Sequence, residues 1–190
     1  MNTQSNDIRV TSYAVRLLPI CEDLGQLAFK IAGQVDLKIT EHKLLDPKLL
    51  ALGLLCRTLS NFKGAVRLVE ERLLVEARVL TRCCFENLFM IGGLYSQGLE
   101  FAKAIKADDV AGRRLRTKFI EENETLFENL SEETRVEMAK AQEILRAAAK
   151  GSFVKFKDAS QIGPFKEIYL AYSQYSGDAA TPPSRRSCAT

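Results

Sequence analysis

No stretch constrains this chain more than Glu70 to Ile91, which reads Glu70-Glu71-Arg72-Leu-Leu-Val-Glu76-Ala-Arg78-Val-Leu-Thr-Arg82-Cys-Cys-Phe-Glu86-Asn-Leu-Phe-Met-Ile. A helix that is apolar nearly all round belongs inside a bundle. Charges set into it must be paired, because an isolated buried charge is strongly unfavourable. Glu76, Arg78, Arg82 and Glu86 are therefore where the sequence asks for a specific polar arrangement. Arg78 and Arg82 are spaced i,i+4, as are Arg82 and Glu86. At about 100° per residue the reading puts all four on one side of one long helix, among Val75, Val79 and Met90. Such a network either lines a pocket for a polar ligand or pairs across helices and fixes their packing register. The second role is preferred. Neither is a reaction.

The rest of the chain reads as helices around this one. Apolar residues from Val10 through Leu17, Leu24 and Ile31 to Val35 alternate at three and four, an amphipathic stripe that stays in phase across Pro19. Pro19 therefore predicts a kink, not a chain reversal. After a connection over Lys38–Leu45, Asp46-Pro47 is an N-cap followed by proline at the first helical position. The second helix carries Leu49, Leu52, Leu55, Leu59, Phe62 and Val66, with a break expected near Lys63–Val69 at Gly64. The third runs to about Tyr95 and ends softly at Gly92, Gly93 and Gly98. A fourth covers Leu99 to about Asn129, split by Asp108, Asp109 and Gly112. A fifth is capped by Ser131 and stops at Gly151. Residues 151–163 are expected to be a loop or short irregular element, and Gly163-Pro164 opens a sixth helix. No strand pattern survives. The fold class is all-α, an antiparallel bundle of five to six helices in a single domain over residues 10–180, with a flexible 1–9 and a disordered tail at 181–190.

A length of 190 residues suits one domain, and 46% hydrophobic with 27% charged residues is ordinary for a globular protein. A net charge of +3 is too mild to call for nucleic acid or a membrane. The uncharged run Asn87–Leu99 is shorter than the roughly 18 residues a membrane span needs, and residues 1–9 lack an apolar leader core. A cytoplasmic protein with no membrane attachment is expected. The five cysteines, Cys21, Cys56, Cys83, Cys84 and Cys188, are odd in number and form no Cys-x-x-Cys. They read as small hydrophobes of the core in a reducing compartment.

His42 is the only histidine, sits between Glu41 and Lys43, and reads as a surface residue. No second histidine exists to build a helical metal site, and no cofactor is expected. Arg113, Arg114, Arg116 and Lys118 could meet phosphates, but Glu121, Glu122 and Glu124 follow at once. A solvated face is preferred, so nucleic acid stays a weakly supported partner. Tyr169, Tyr172 and Tyr175, at helical spacing beside Phe165 and Ile168, read as core and rim before a stacking surface; Tyr172 is kept as a binding candidate. Phosphate-loop, dinucleotide and nucleophile-elbow motifs are absent from the sequence.

Two segments carry a resemblance. One is Glu76-Ala77, Leu80, Arg82 and Glu86 on the central helix. The other is Tyr169, Tyr172-Ser173, Tyr175-Ser176-Gly177-Asp178-Ala179-Ala180 on the last. Together the segments resemble the bacterial domain-of-unknown-function family DUF5677 over roughly residues 40–180, which implies a helical bundle and no known activity. The family pattern continues after the Ala-Ala pair as His-Pro-Ser, where this chain reads Thr181-Pro182-Pro183-Ser184. One added base in a back-translation of 181–190 restores it, so a shifted reading frame is the expectation for the tail. The function expected is a non-enzymatic module binding a protein or small ligand, with homo-oligomerisation left open. Its rival is a degenerate ribonuclease of the HEPN class found in toxin and defence systems. That class pairs an arginine with a histidine four to six residues on, a spacing no arginine here makes with His42.

Overall fold

Asp46 starts the second helix. In the computed structural model, which describes residues 3–36, 38, 40–123, 125, 128–147 and 151–180, its carboxylate accepts the backbone N–H of Lys48 at 2.8 Å and of Leu49 at 3.3 Å. The Thr40 hydroxyl donates to the same carboxylate. Hydrogen bonding from Thr40, then from the two amides, holds Asp46 below the usual carboxylate range against the opposing effect of burial.

Seven α-helices form among the described residues: α1 (Thr3–Gly33), α2 (Pro47–Glu70), α3 (Leu74–Gln97), α4 (Leu99–Glu122), α5 (Glu132–Ala147), α6 (Phe156–Ile162) and α7 (Tyr169–Ala180). The all-α single domain agrees with the sequence reading, and the helix count of five to six is corrected to seven. The added helix is α6, inside the stretch expected to be irregular. Val154, Phe156 and Ile162 pack on the core there, and Ala159 and Ser160 are buried. Tertiary packing against α3 supplies what its short local pattern does not announce. Helix α4 runs unbroken through Asp108, Asp109 and Gly112. Asp109 pairs with Arg113 at 2.9 Å on the same helix, and Asp108 accepts the Val154 N–H at 2.7 Å, so neither carboxylate works against the helix.

The segment Glu70–Ile91 is not one helix. Residues Glu71–Leu73 are the turn of an α2–α3 hairpin. Leu73 N–H reaches Leu68 O at 2.8 Å and Arg72 N–H reaches Val69 O at 3.0 Å. This pair of bonds is the Schellman ending of a helix. It places Arg72 at the left-handed position, φ 62°, where glycine is the usual occupant. The break expected at Gly64 does not occur. A Cβ there would come within 2.8 Å of the Leu80 side chain, so Gly64 serves close α2–α3 approach.

Helix α3 is the hub, in contact with α2, α4, α6 and α7. The core gathers around its carboxyl-terminal half: Phe89 and Leu94 of α3 with Phe101 and Ala102 of α4, Ala159 of α6 and Tyr172 of α7. Gly92 and Gly93 do not soften its end; both are buried inside the helix. A Cβ on Gly93 would meet the Phe101 ring at 2.4 Å, and one on Gly163 would meet the Gly92 backbone at 2.7 Å. These glycines let a ring and a chain turn approach the helix backbone.

Helix α2 is by length and composition apolar enough to cross a bilayer, but here it lies against α1, α3 and α4. Helix α1 runs through Pro19 as one helix and lies on α2. The side chains of residues 3–15 and the tail at 181–190, with the shifted frame expected there, lie outside what is described.

Candidate functional site

Arg82 and Glu86 lie one turn apart on α3, in the part of the helix that α7 covers. Arg82 Nε donates to Glu86 Oε1 at 2.8 Å. Tyr172, from α7, donates its hydroxyl to the same oxygen at 3.2 Å. Tyr172 is buried at 7% exposure, with its ring edge-on to Phe89 at 5.4 Å and to Phe156 at 6.2 Å. Tyr169 and Tyr175 flank it and pack on Phe89 and Phe85. A tyrosine buried this way needs a partner for its hydroxyl, and Glu86 supplies it.

Glu86 also holds the Arg82 guanidinium above its usual pKa, chiefly through their hydrogen bond, with burial opposing and Tyr172 adding a smaller favourable interaction. The Arg82 side chain keeps 37% exposure and Glu86 18%. The pair is thus a half-open ion pair at the edge of an aromatic cluster, not a sealed one. Its direct gain is correspondingly reduced by solvent screening.

Of the five candidate residues the structure brings together Arg82, Glu86 and Tyr172. The hydrogen bonds that join these three do not include Glu76 or Arg78, which are exposed in the first turns of α3 beside the exposed Val75 and Val79. At about 100° per residue, Arg78, Arg82 and Glu86 drift by about 40° per step and share a face, while Glu76 stands about 160° from Arg78 at the far edge of the same side.

The other candidates are distributed over the surface. His42 lies in the α1–α2 connection with Glu41 at 3.9 Å. In the basic cluster, Arg113 pairs with Asp109 at 2.9 Å and Lys118 with Glu122 at 3.4 Å. Arg114 donates from Nε at 3.1 Å, and also from Nη2, to the Leu145 carbonyl near the end of α5. Cations at a helix carboxyl end are favourable there, so Arg114 docks α5 on α4. No sequence signal announces that contact, nor the one from Asp108 to Val154, because each joins residues far apart in the chain.

The thiols divide. Cys84 is pushed up to about 11 by burial and, less, by Cys83, and its sulfur lies 3.5 Å from Thr58 O. Cys56 is exposed, which corrects the reading of all five as core, and Cys188 lies outside the described residues. Among the described residues no group of three His, Cys, Asp or Glu side chains is placed to hold a metal ion. A groove of about 230 Å³ between α1 and α2 has an apolar floor that includes Phe29, Leu59 and Phe62 and a polar rim of Glu22, Gln26, Lys63 and Arg67.

Compared with known families, residues 48–178 match the model of a family of unknown function, DUF5677. The match takes in both halves of the polar centre, α3 and α7, and leaves α1 outside. Neither the curated proteins nor the solved structures give a match.

Proposed function

The chain belongs to this family of unknown function, and on its own residues we propose that it is a non-enzymatic helical interaction module working in a reducing, cytoplasmic compartment. The observation that carries the reading is the use made of Glu86. One oxygen of this carboxylate takes both the Arg82 and the Tyr172 hydrogen bonds. This polar group therefore serves to join α7 to α3. Apolar side chains, by contrast, are left uncovered. Leu73, Leu74, Val75 and Val79 at the start of α3 are 45–66% exposed and lie beside the charged Glu76 and Arg78. An apolar cluster rimmed by charges is the usual make-up of a protein-binding patch. The exposed, unbonded Cys56 suits a compartment that keeps thiols reduced.

Site-specific photo-crosslinking in the producing cell tests this. A crosslinker at Val75 should give discrete protein adducts, and one at the exposed, polar Lys103 should give none. Equal labelling at both positions, or none at Val75, would count against the module. For the ribonuclease alternative the purified chain is incubated with total RNA. Cleavage beyond that of a Glu86→Ala control would reverse the reading.

A further inference from the structure

Helix α1 turns two faces to two different surroundings. Leu18, Cys21, Gly25, Ala28 and Ala32 are partly buried. They form the side nearer α2, where a Cβ on Gly25 would touch the Phe62 ring at 3.6 Å. About 100° further round, Leu17, Ile20, Leu24, Leu27 and Ile31 are each 53–57% exposed. Their three-four spacing is the a/d seam of a coiled coil, and the sequence carries the same register upstream through Val10 and Tyr13. The seam is narrow and in strict phase. It asks for another helix with the same repeat, and the chain supplies one in each copy of itself.

We propose that two copies of this chain associate through α1, antiparallel, about a two-fold axis. The edges of the seam set the orientation. One edge holds Cys21 and Ala28, already turned toward α2. The other holds Arg16, Asp23 and Lys30, all exposed. An antiparallel pair brings like edge to like edge. In the register that stacks Leu24 on Leu27 and Ile20 on Ile31 of the second copy, Asp23 faces Lys30 of that copy, and the two-fold repeats the pair. A parallel pair would set these charges against Cys21 and Ala28 and leave them without complement.

The seam lies ahead of residues 48–178, outside the part shared with the family. The inference goes beyond the interaction-module reading: the α3 patch is not part of the seam, and loss of either leaves the other standing.

Light scattering and sedimentation on the full chain, over a concentration series, test it. The expected particle has twice the 21.2 kDa chain mass. Leu24→Glu, at an exposed position, should give a monomer of unchanged helical circular dichroism. Asp23→Arg sets Lys30 against an arginine and should weaken the dimer several-fold, and Lys30→Glu combined with Asp23→Arg should restore it. A monomer at all concentrations would overturn the proposal, as would a dimer that survives Leu24→Glu. A dimer indifferent to Asp23→Arg would overturn the antiparallel register.

Discussion

Helices α1 and α3 carry the same kind of apolar stripe, and the fold treats them differently. Helix α3 is met by α2, α4, α6 and α7, and its Phe89 keeps 1% exposure. Helix α1 is met chiefly by α2 and leaves a row of leucines and isoleucines half in water. Periodicity marks a face that wants cover. Whether cover arrives depends on what the remaining chain brings to the far side. For α3 it brings a turn, a short helix and a tyrosine-rich helix; for α1, among the described residues, it brings chiefly α2.

The sharpest contrast is a pair of truncations measured in the Leu24→Glu background, where association no longer contributes. Phe89→Ala should cost about 3–5 kcal/mol of unfolding free energy by denaturant titration. Leu27→Ala should stay within about 0.5 kcal/mol, as for other surface changes. Similar losses at the two sites would erase the distinction between the helices. A smaller effect is expected at the α3–α7 polar contact. Glu86→Ala leaves the buried Tyr172 hydroxyl and the Arg82 guanidinium without their shared acceptor and should cost about 1–3 kcal/mol. Arg82→Ala, which removes a half-exposed partner, should cost about 1 kcal/mol or less. The reverse ranking would mean the arginine, not the carboxylate, organises the contact.

Smaller again, and of opposite sign, is Arg72→Gly. Relief of a left-handed arginine in the α2–α3 turn should raise stability by roughly 0.5–1 kcal/mol. A loss there would show that the turn's geometry depends on the arginine side chain. Asp46→Asn should be nearly neutral at pH 7, because asparagine caps a helix as well as aspartate does. In acid the two proteins diverge. The Asp46 pKa is lowered by folding, so its charge contributes fully above the unfolded carboxylate pKa and is lost as pH falls through the lower folded value. Melting temperatures of the wild type should therefore drop further than those of Asp46→Asn as that range is crossed. Parallel curves would remove the charge from the account of the cap.

Signals carried by neighbouring residues are legible in the sequence. The Asp46-Pro47 start, the passage through Pro19 and the helical spacing of Tyr169, Tyr172 and Tyr175 are all written within a few residues. The polar centre was half legible. Arg82 and Glu86 show themselves at i,i+4 and Tyr172 by its helical spacing with Tyr169 and Tyr175, but nothing in the spacing says that Tyr172 bonds to Glu86. The turn at Arg72 is not legible in the sequence because its bonds need no glycine, only a residue that tolerates the left-handed region. Gly92 and Gly93 read as softness because a missing side chain says nothing of the neighbour that fills its place. Helix α6 is illegible for a different reason: seven residues carry too little pattern to declare a face, and burial of Ala159 and Ser160 decides it.

The contact between Gly92 and Gly163 has a mechanical corollary. Two main chains touch there with no side chain between them, and the chain passes from that touching point through Pro164 and one short turn directly into α7. Any methyl group inserted at either glycine acts as a wedge under the root of α7. Its thrust would be delivered at the Tyr172 oxygen, prising it from Glu86 without altering either residue.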